Sequence, residues 1–291
     1  MTRPQHLLLP VVLVFLGTSI AWHDVGKIDL GYALLAFLGL LLTQISVNTI
    51  NDWFDYRSGI DLETKKTPFS GGSGILPAGL LKPRQVLWFG LASFLIALVI
   101  GVYFIITITR GWSLLPLLLV AAICILIYSP VILKTHWPEW AAGVGLGALP
   151  ILGVYFVQTT NYTLPAVVAS IPSAILVHNL LLLNEFPDVA ADRKAGRRTS
   201  PIVMGEARAS LFYSTLTILV YLWVIGWVVA RVMPVFTLIA FLTLPLAIKT
   251  MQGALKYNDV SKLMPAMGSN VLVILLTQLL LGIGYILARV F

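Results

Sequence analysis

Long apolar runs, separated by short polar segments, fill this chain from end to end. A helix needs about 20 mostly apolar residues to cross the hydrocarbon core of a bilayer. Nine runs are candidates, at 7–22, 30–54, 86–108, 114–129, 140–157, 164–183, 210–230, 235–248 and 267–287. The eighth is short and carries Pro245. The pattern predicts an all-α integral membrane protein, a single domain over 1–291 with nine transmembrane helices in a bundle.

Composition supports this. Hydrophobic residues make up 58% of the chain and charged residues only 11%, with a mean hydropathy of +0.93. Soluble domains carry about 25% charged residues. A net charge of +7 could point to nucleic acid, but the placement of the charge argues against it. Of the 19 basic residues, 15 fall in the N-terminal segment and the even-numbered loops, leaving Lys27, Arg110, Arg231 and Arg289 on the other side. That asymmetry puts the N-terminus and the even loops in the cytoplasm. The partner it implies is membrane lipid, and no nucleic acid is expected. Cys124 is the single cysteine, which rules out an intramolecular disulfide and a cysteine zinc site. It is expected to be a small core residue. The four histidines are scattered, and His178 is expected to line a cavity or pack between helices.

Acidic residues are scarce and clustered. Seven of the 12 (Asp52, Asp55, Asp61, Glu63, Glu185, Asp188 and Asp192) lie in or beside two motifs. The first spans 48–61, Asn-Thr-Ile-Asn-Asp-Trp-Phe-Asp-Tyr-Arg-Ser-Gly-Ile-Asp, and ends the second run. The second spans 184–194, Asn-Glu-Phe-Pro-Asp-Val-Ala-Ala-Asp-Arg-Lys, and ends the sixth. Both open into basic loops on the expected cytoplasmic side. Ionisable groups at membrane depth are costly and mark function.

Asn48, Asp52 and Asp55 are spaced i, i+4, i+7, and Asn51 pairs with Asp55 at i, i+4, so each set shares a helix face. Asn184, Asp188 and Asp192 are spaced i, i+4, i+8, with Pro187 predicting a kink or a restarted helix. Carboxylates with amide oxygens are hard ligands that suit Mg2+, which reaches phosphates through one or two carboxylates and retained waters. Two such clusters facing one another would grip a diphosphate through metal, with the neighbouring basic residues neutralising the remaining charge. The plain alternative is a set of helix caps and surface charges. Glu63 and Glu185 fall off the repeated spacing, and that reading is expected to hold for them. The glycine-rich stretch after the first motif lacks the Gly-Lys-Ser/Thr of a P-loop and is either a turn or a substrate lid.

These motifs, on nine runs, resemble the UbiA superfamily of intramembrane prenyltransferases. The residues that carry the resemblance are Asn51-Asp52-x-x-Asp55 with Gly59-Ile60-Asp61, Asn184-x-x-x-Asp188-x-x-x-Asp192 with Gly196, Arg197, Arg198 and Thr199, and Tyr128-x-x-x-x-x-Lys134. The resemblance implies a Mg2+-assisted transfer of a polyprenyl group from polyprenyl diphosphate to an aromatic acceptor, through an allylic cation. It implies that Asn51, Asp52, Asp55, Asp61, Asn184, Asp188 and Asp192 hold the metal–diphosphate. Asn48, Arg57, Lys134, Arg193 and Arg197 would contact substrate, and Tyr128 would position the cation or the acceptor, with Asp55 and Asp188 central to catalysis. The stretch 51–61 looks most like the menaquinone-type branch, which prenylates 1,4-dihydroxy-2-naphthoate in the prokaryotic cell membrane. The second motif, Asn-Glu-Phe-Pro-Asp, departs from that branch's Asn-Asn-x-x-Asp, so 4-hydroxybenzoate, homogentisate-like rings and chlorophyllides stay open as acceptors. A cation-coupled transporter is the competing class: it would also use membrane carboxylates in a pseudo-repeat, near the bilayer midplane.

Overall fold

A computed structural model describes residues 7–63, 67 and 71–291. Arg3, Lys65, Lys66 and Ser70, and the side chain of Glu63, lie outside what is described. The chain forms an all-α membrane bundle. Its long helices are α1 (Leu8–Val25), α2 (Leu30–Ser58), α3 (Pro83–Thr107), α4 (Gly111–Leu126), α5 (Glu139–Thr159), α6 (Leu164–Asn184), α7 (Glu206–Val229), α8 (Val235–Ala254) and α9 (Val260–Val290). Among the described residues, eight of these are long and apolar enough to cross a bilayer. The expected span at 114–129 is instead the shorter apolar helix α4. The doubtful eighth run does form a helix. It starts as 3-10 turns over Val235–Thr243, and Pro245 sits at the start of the α-helical part, where its missing N–H is no loss.

Local chemistry sets the helix ends. Asp29 accepts from Tyr32 N at 2.8 Å and caps α2, Thr163 accepts from Ala166 N and caps α6, and Asp259 accepts from Ser261 N at 3.1 Å and caps α9. Such caps satisfy N–H groups the first turn cannot. At the other end of α2, Gly59 takes φ 79° and stops the helix within one turn of Asp55.

Helix α6 is the axis of the bundle, packed by α5, α7 and α9. In lipid there is little hydrophobic drive between helices, so close approach and interhelical hydrogen bonds do the work. The approach to α5 depends on glycine. A Cβ on Gly143 would stand 2.5 Å from Ala174 O, and one on Gly147 would stand 2.7 Å from Ser173 O. Gly143 precedes and Gly147 lies within a π-helical turn of α5 over Val144–Ala148. Before this turn α5 packs on α6; after it, Leu149–Thr159 packs mainly on α1.

Polar groups tie the other faces. Asn179 Nδ2 donates to Tyr213 O and to Thr217 Oγ1, and Tyr213 Oη donates to Asn270 Oδ1 at 2.8 Å, joining α6, α7 and α9. Pro172 inside α6 cannot donate to the Val168 carbonyl, and Trp223 Nε1 of α7 fills that vacancy at 2.9 Å. At the end of the bundle away from the acidic motifs, Tyr155 Oη donates to Asp24 Oδ2 at 2.7 Å and accepts from Thr163 Oγ1 at 2.9 Å. His178 packs between the rings of Trp140 and Phe212.

Gly147→Val should lower the thermal midpoint of the purified protein in detergent, because overpacking at such a contact costs about 1–3 kcal/mol. Gly226→Ala in α7, where an added Cβ meets nothing within 4 Å, should hold the midpoint or raise it. Equal losses in both variants would mean that the α5–α6 contact is not special.

Candidate active site

Both acidic motifs reach one pocket. Asn51 and Asp55 come from the last turns of α2, and Asp61 from the short Ile60–Glu63 turn that follows Gly59. Asn184 ends α6. Pro187 then forces a 3-10 turn, Phe186–Asp188, before a short helix Val189–Lys194 carries Asp192. The restart swings Asp188 and Asp192 back over the end of α6. Asn51, Asp55, Asp61, Asn184, Asp188 and Asp192 all line a space of about 610 Å³, together with Tyr128 and Arg197.

Arg197 closes the pocket. Its guanidinium pairs with Asp55 Oδ1 of the first motif and, at 2.9 Å, with Asp192 Oδ1 of the second. Burial alone would lower the Arg197 pKa, but the charges of Asp55 and Asp192 outweigh it and raise the value. The guanidinium thus holds a cation between two carboxylates that would otherwise repel. Other polar atoms have no partner, among them Asn184 Oδ1 and Asp188 Oδ1. Asp188 Oδ2 accepts from Gly71 N at 3.2 Å. Gly72, at φ +70°, lies so close to Asp61 that a Cβ there would meet Oδ1 at 2.6 Å. The glycine stretch therefore lies over the carboxylates, with backbone where side chains would not fit.

The other expected residues divide. Tyr128 lines the pocket with its hydroxyl buried and unpartnered. Burial first, then the charges of Glu185 and Glu139, hold its phenol pKa well above the ordinary value, so it stays a neutral donor. Asn48 does not line this pocket but faces the next chamber, with Nδ2 unpartnered. Asp52 is buried outside the pocket lining, and its Oδ1 accepts from Ser73 N at 3.4 Å. Arg57, Lys134 and Arg193 are exposed and outside the lining, and Arg57 stacks over the Trp53 ring instead.

Glu185 corrects the sequence expectation. It is 5% exposed, lines the pocket, and lies against the carboxyl group of Glu139. Glu139 was missed altogether. It is fully buried at the start of α5, where Oε1 accepts from Ser200 N at 2.6 Å and so fixes the segment after the second motif. An acidic residue opening an apolar run on the side of both motifs was the available signal.

The pocket does not end at the carboxylates. Asn51, Tyr128 and Leu181 also line a second chamber of about 650 Å³. Beyond it lies a third cavity of about 840 Å³, walled by apolar side chains such as Leu40, Ile100, Phe104 and Leu117. Along α2 these spaces meet one continuous face, through Asp55, Asn51, Asn48, Gln44, Leu40 and Ala36. Among the described residues no three His, Cys, Asp or Glu side chains already converge as a metal cage. The donors are nonetheless hard oxygens, and a cationic side chain already stands between two of them. Such a site fits a divalent cation and a polyanion at one end and a long apolar chain at the other.

The UbiA prenyltransferase family profile matches residues 9–283. A 1,4-dihydroxy-2-naphthoate octaprenyltransferase of Bacillus subtilis (strain 168) is 31% identical, over 99% of this chain and 91% of that one. A solved digeranylgeranylglyceryl phosphate synthase superposes with a TM-score of 0.65 at 19% identity, covering 98% of this chain and 99% of that one. A UbiA homolog from Archaeoglobus fulgidus, solved bound to GPP and Mg2+, superposes with a TM-score of 0.60 at 16% identity, over 98% and 99% of the two chains. With its fold shared by these structures and its sequence matched almost throughout, the chain belongs to the UbiA prenyltransferase family.

Proposed function

We propose that this protein transfers a polyprenyl group from polyprenyl diphosphate to an aromatic acceptor, 1,4-dihydroxy-2-naphthoate. The observation that carries the reading is the run of spaces from a carboxylate-lined pocket into an apolar cavity. The 31% identity to the Bacillus subtilis octaprenyltransferase supports that acceptor. Asn51, Asp55, Asp61, Asn184, Asp188 and Asp192 would hold Mg2+, which would neutralise the diphosphate and so let pyrophosphate leave.

The side chains divide the remaining work. Arg197 exchanges its carboxylate partners for diphosphate oxygens, which a guanidinium binds in a fixed fork geometry. The Gly71–Gly72 backbone covers the head group. The C–O bond to the diphosphate breaks at the junction beside Tyr128, where the pocket meets the second chamber. The apolar wall of that chamber keeps water from the allylic cation. The acceptor ring then forms the new C–C bond, and the attacked ring carbon gives its proton to the released pyrophosphate, which restores the aromatic ring. Carboxylates at one end of the helices, not midway along them, favour this reading over a transporter.

Asp55→Asn and Asp188→Asn should each lower turnover about a thousandfold; Asp188→Asn, which breaks no ion pair with Arg197, should leave the thermal midpoint near wild type, whereas Asp55→Asn, which takes a partner from the buried Arg197, should lower it. Chelation should abolish activity and Mg2+ restore it. The assay is transfer from geranylgeranyl diphosphate to a panel of aromatic acceptors, read by mass; normal turnover in both variants would sink the metal assignment.

Arg197→Gln should move two affinities in opposite directions. Mn2+ should bind the substrate-free protein more tightly, because a competing cation is gone, while KM for the diphosphate rises. A parallel weakening of both would make Arg197 a structural tie only. Tyr128→Phe should cost about tenfold in kcat, the loss expected for one hydrogen bond donated by its hydroxyl to the bound substrate.

A further inference from the structure

The second and third cavities adjoin. The residues common to both linings are Thr43 of α2, Ala121 of α4, and Gly145 and Leu146 of α5. Three of the four are small, and they come from three different helices. Gly145 and Leu146 lie inside the π-helical turn of α5. The packing there has no slack: a Cβ on Gly145 would stand 3.2 Å from Cys124 Cβ and 3.3 Å from Cys124 Sγ. Cys124 was expected in the core, but it is only partly buried and lines the second chamber.

From these observations we infer that Thr43, Ala121, Gly145 and Leu146 form a neck through which the prenyl tail passes, and that the small size of Ala121 and Gly145 sets which tail lengths the enzyme accepts. The inference rests on the prenyl-transfer reading and adds the part of the substrate that this constriction reads. Thr43 lies eight residues before Asn51 on α2, which at the helical rise places the neck about 12 Å below the pocket, roughly two to three extended five-carbon units. A five-carbon donor therefore ends above the neck. A twenty-carbon donor must cross it into the cavity beyond. π-helical turns recur at functional sites because they displace backbone without ending the helix. Here the turn brings a glycine to the constriction, where another α-helical turn would bring a different residue.

The test is a length series on Ala121→Phe and Thr43→Leu, with Val120→Phe as control. Val120 is on the same helix as Ala121 but is 41% exposed and outside all three cavities. Dimethylallyl, geranyl and geranylgeranyl diphosphates are compared by kcat/KM, and by equilibrium binding without acceptor. Ala121→Phe should keep the five-carbon donor near wild type and lower the twenty-carbon donor about a hundredfold. Thr43→Leu should shift the same ratio less, and Val120→Phe should leave it unchanged.

Equal loss of short and long donors in Ala121→Phe, with wild-type ratios in Thr43→Leu, would overturn the neck. So would unchanged ratios in both variants, since the tail would then leave by another route. If wild type forms no adduct with any donor, the prenyl-transfer reading fails. The binding ratios still decide the neck in that case, because they need no acceptor.

Discussion

One cation holds the two acidic motifs together. Asp55 ends α2 and Asp192 sits on the short helix after α6, and both pair with the guanidinium of Arg197. Carboxylates gathered at the end of an apolar bundle repel one another across a poor dielectric. Removing the partner of such a buried pair typically costs 3–5 kcal/mol. The bundle below can place α2 and α6 near each other, but it supplies no positive charge. Arg197 supplies it from the chain's own next loop. That loop is pinned in turn: Arg198 N donates to Leu133 O, and Ser200 N donates to Glu139.

Rigidity below the site comes from chemistry of a different kind. Helix α6 is held by glycine contacts to α5, an Asn–Tyr–Asn relay to α7 and α9, and an indole on the carbonyl freed by Pro172. None of these requires a hydrophobic drive, which lipid does not offer. The motif-bearing ends are thus anchored on a frame that is stiff where it meets α6. The spaces along α2 stay open because Gly39, Gly101 and Gly145 line them.

Much of this was legible from the chain. Apolar run length gave the helices, because a bilayer imposes one length on every span. The scarcity of carboxylates gave the site, because charge near hydrocarbon has few other reasons to persist. What was not legible was direction. Asp52 sits in the first motif beside Asn51, yet one residue along a helix turns its side chain away from the pocket toward Ser73. Glu185 was set aside because it broke an i, i+4 rule. That rule needs a continuous helix, and Pro187 ends it. Arg57, Lys134 and Arg193 lie close in sequence to the site, but long cationic side chains reach solvent easily, and theirs do. The expected span 114–129 runs past the helix end, since Ile127, Tyr128 and Ser129 lie beyond Leu126.

The π turn of α5 makes the two halves of that helix separately registered. The one additional residue is absorbed within the turn, so the sequence register of the second half is offset by about 100° from that of the first while each half keeps its own face in the bundle. The first half keeps its glycines toward α6, and the second half keeps Ile151, Val154 and Tyr155 buried against other helices. A single-residue deletion between Val144 and Ala148 would restore an ordinary helix with both faces in place, whereas a deletion within Leu149–Thr159 has no such outlet and would rotate part of that buried face by about 100°. Within the turn, residue type is constrained as well, at Gly145 against Cys124 and at Gly147 against the Ser173 carbonyl.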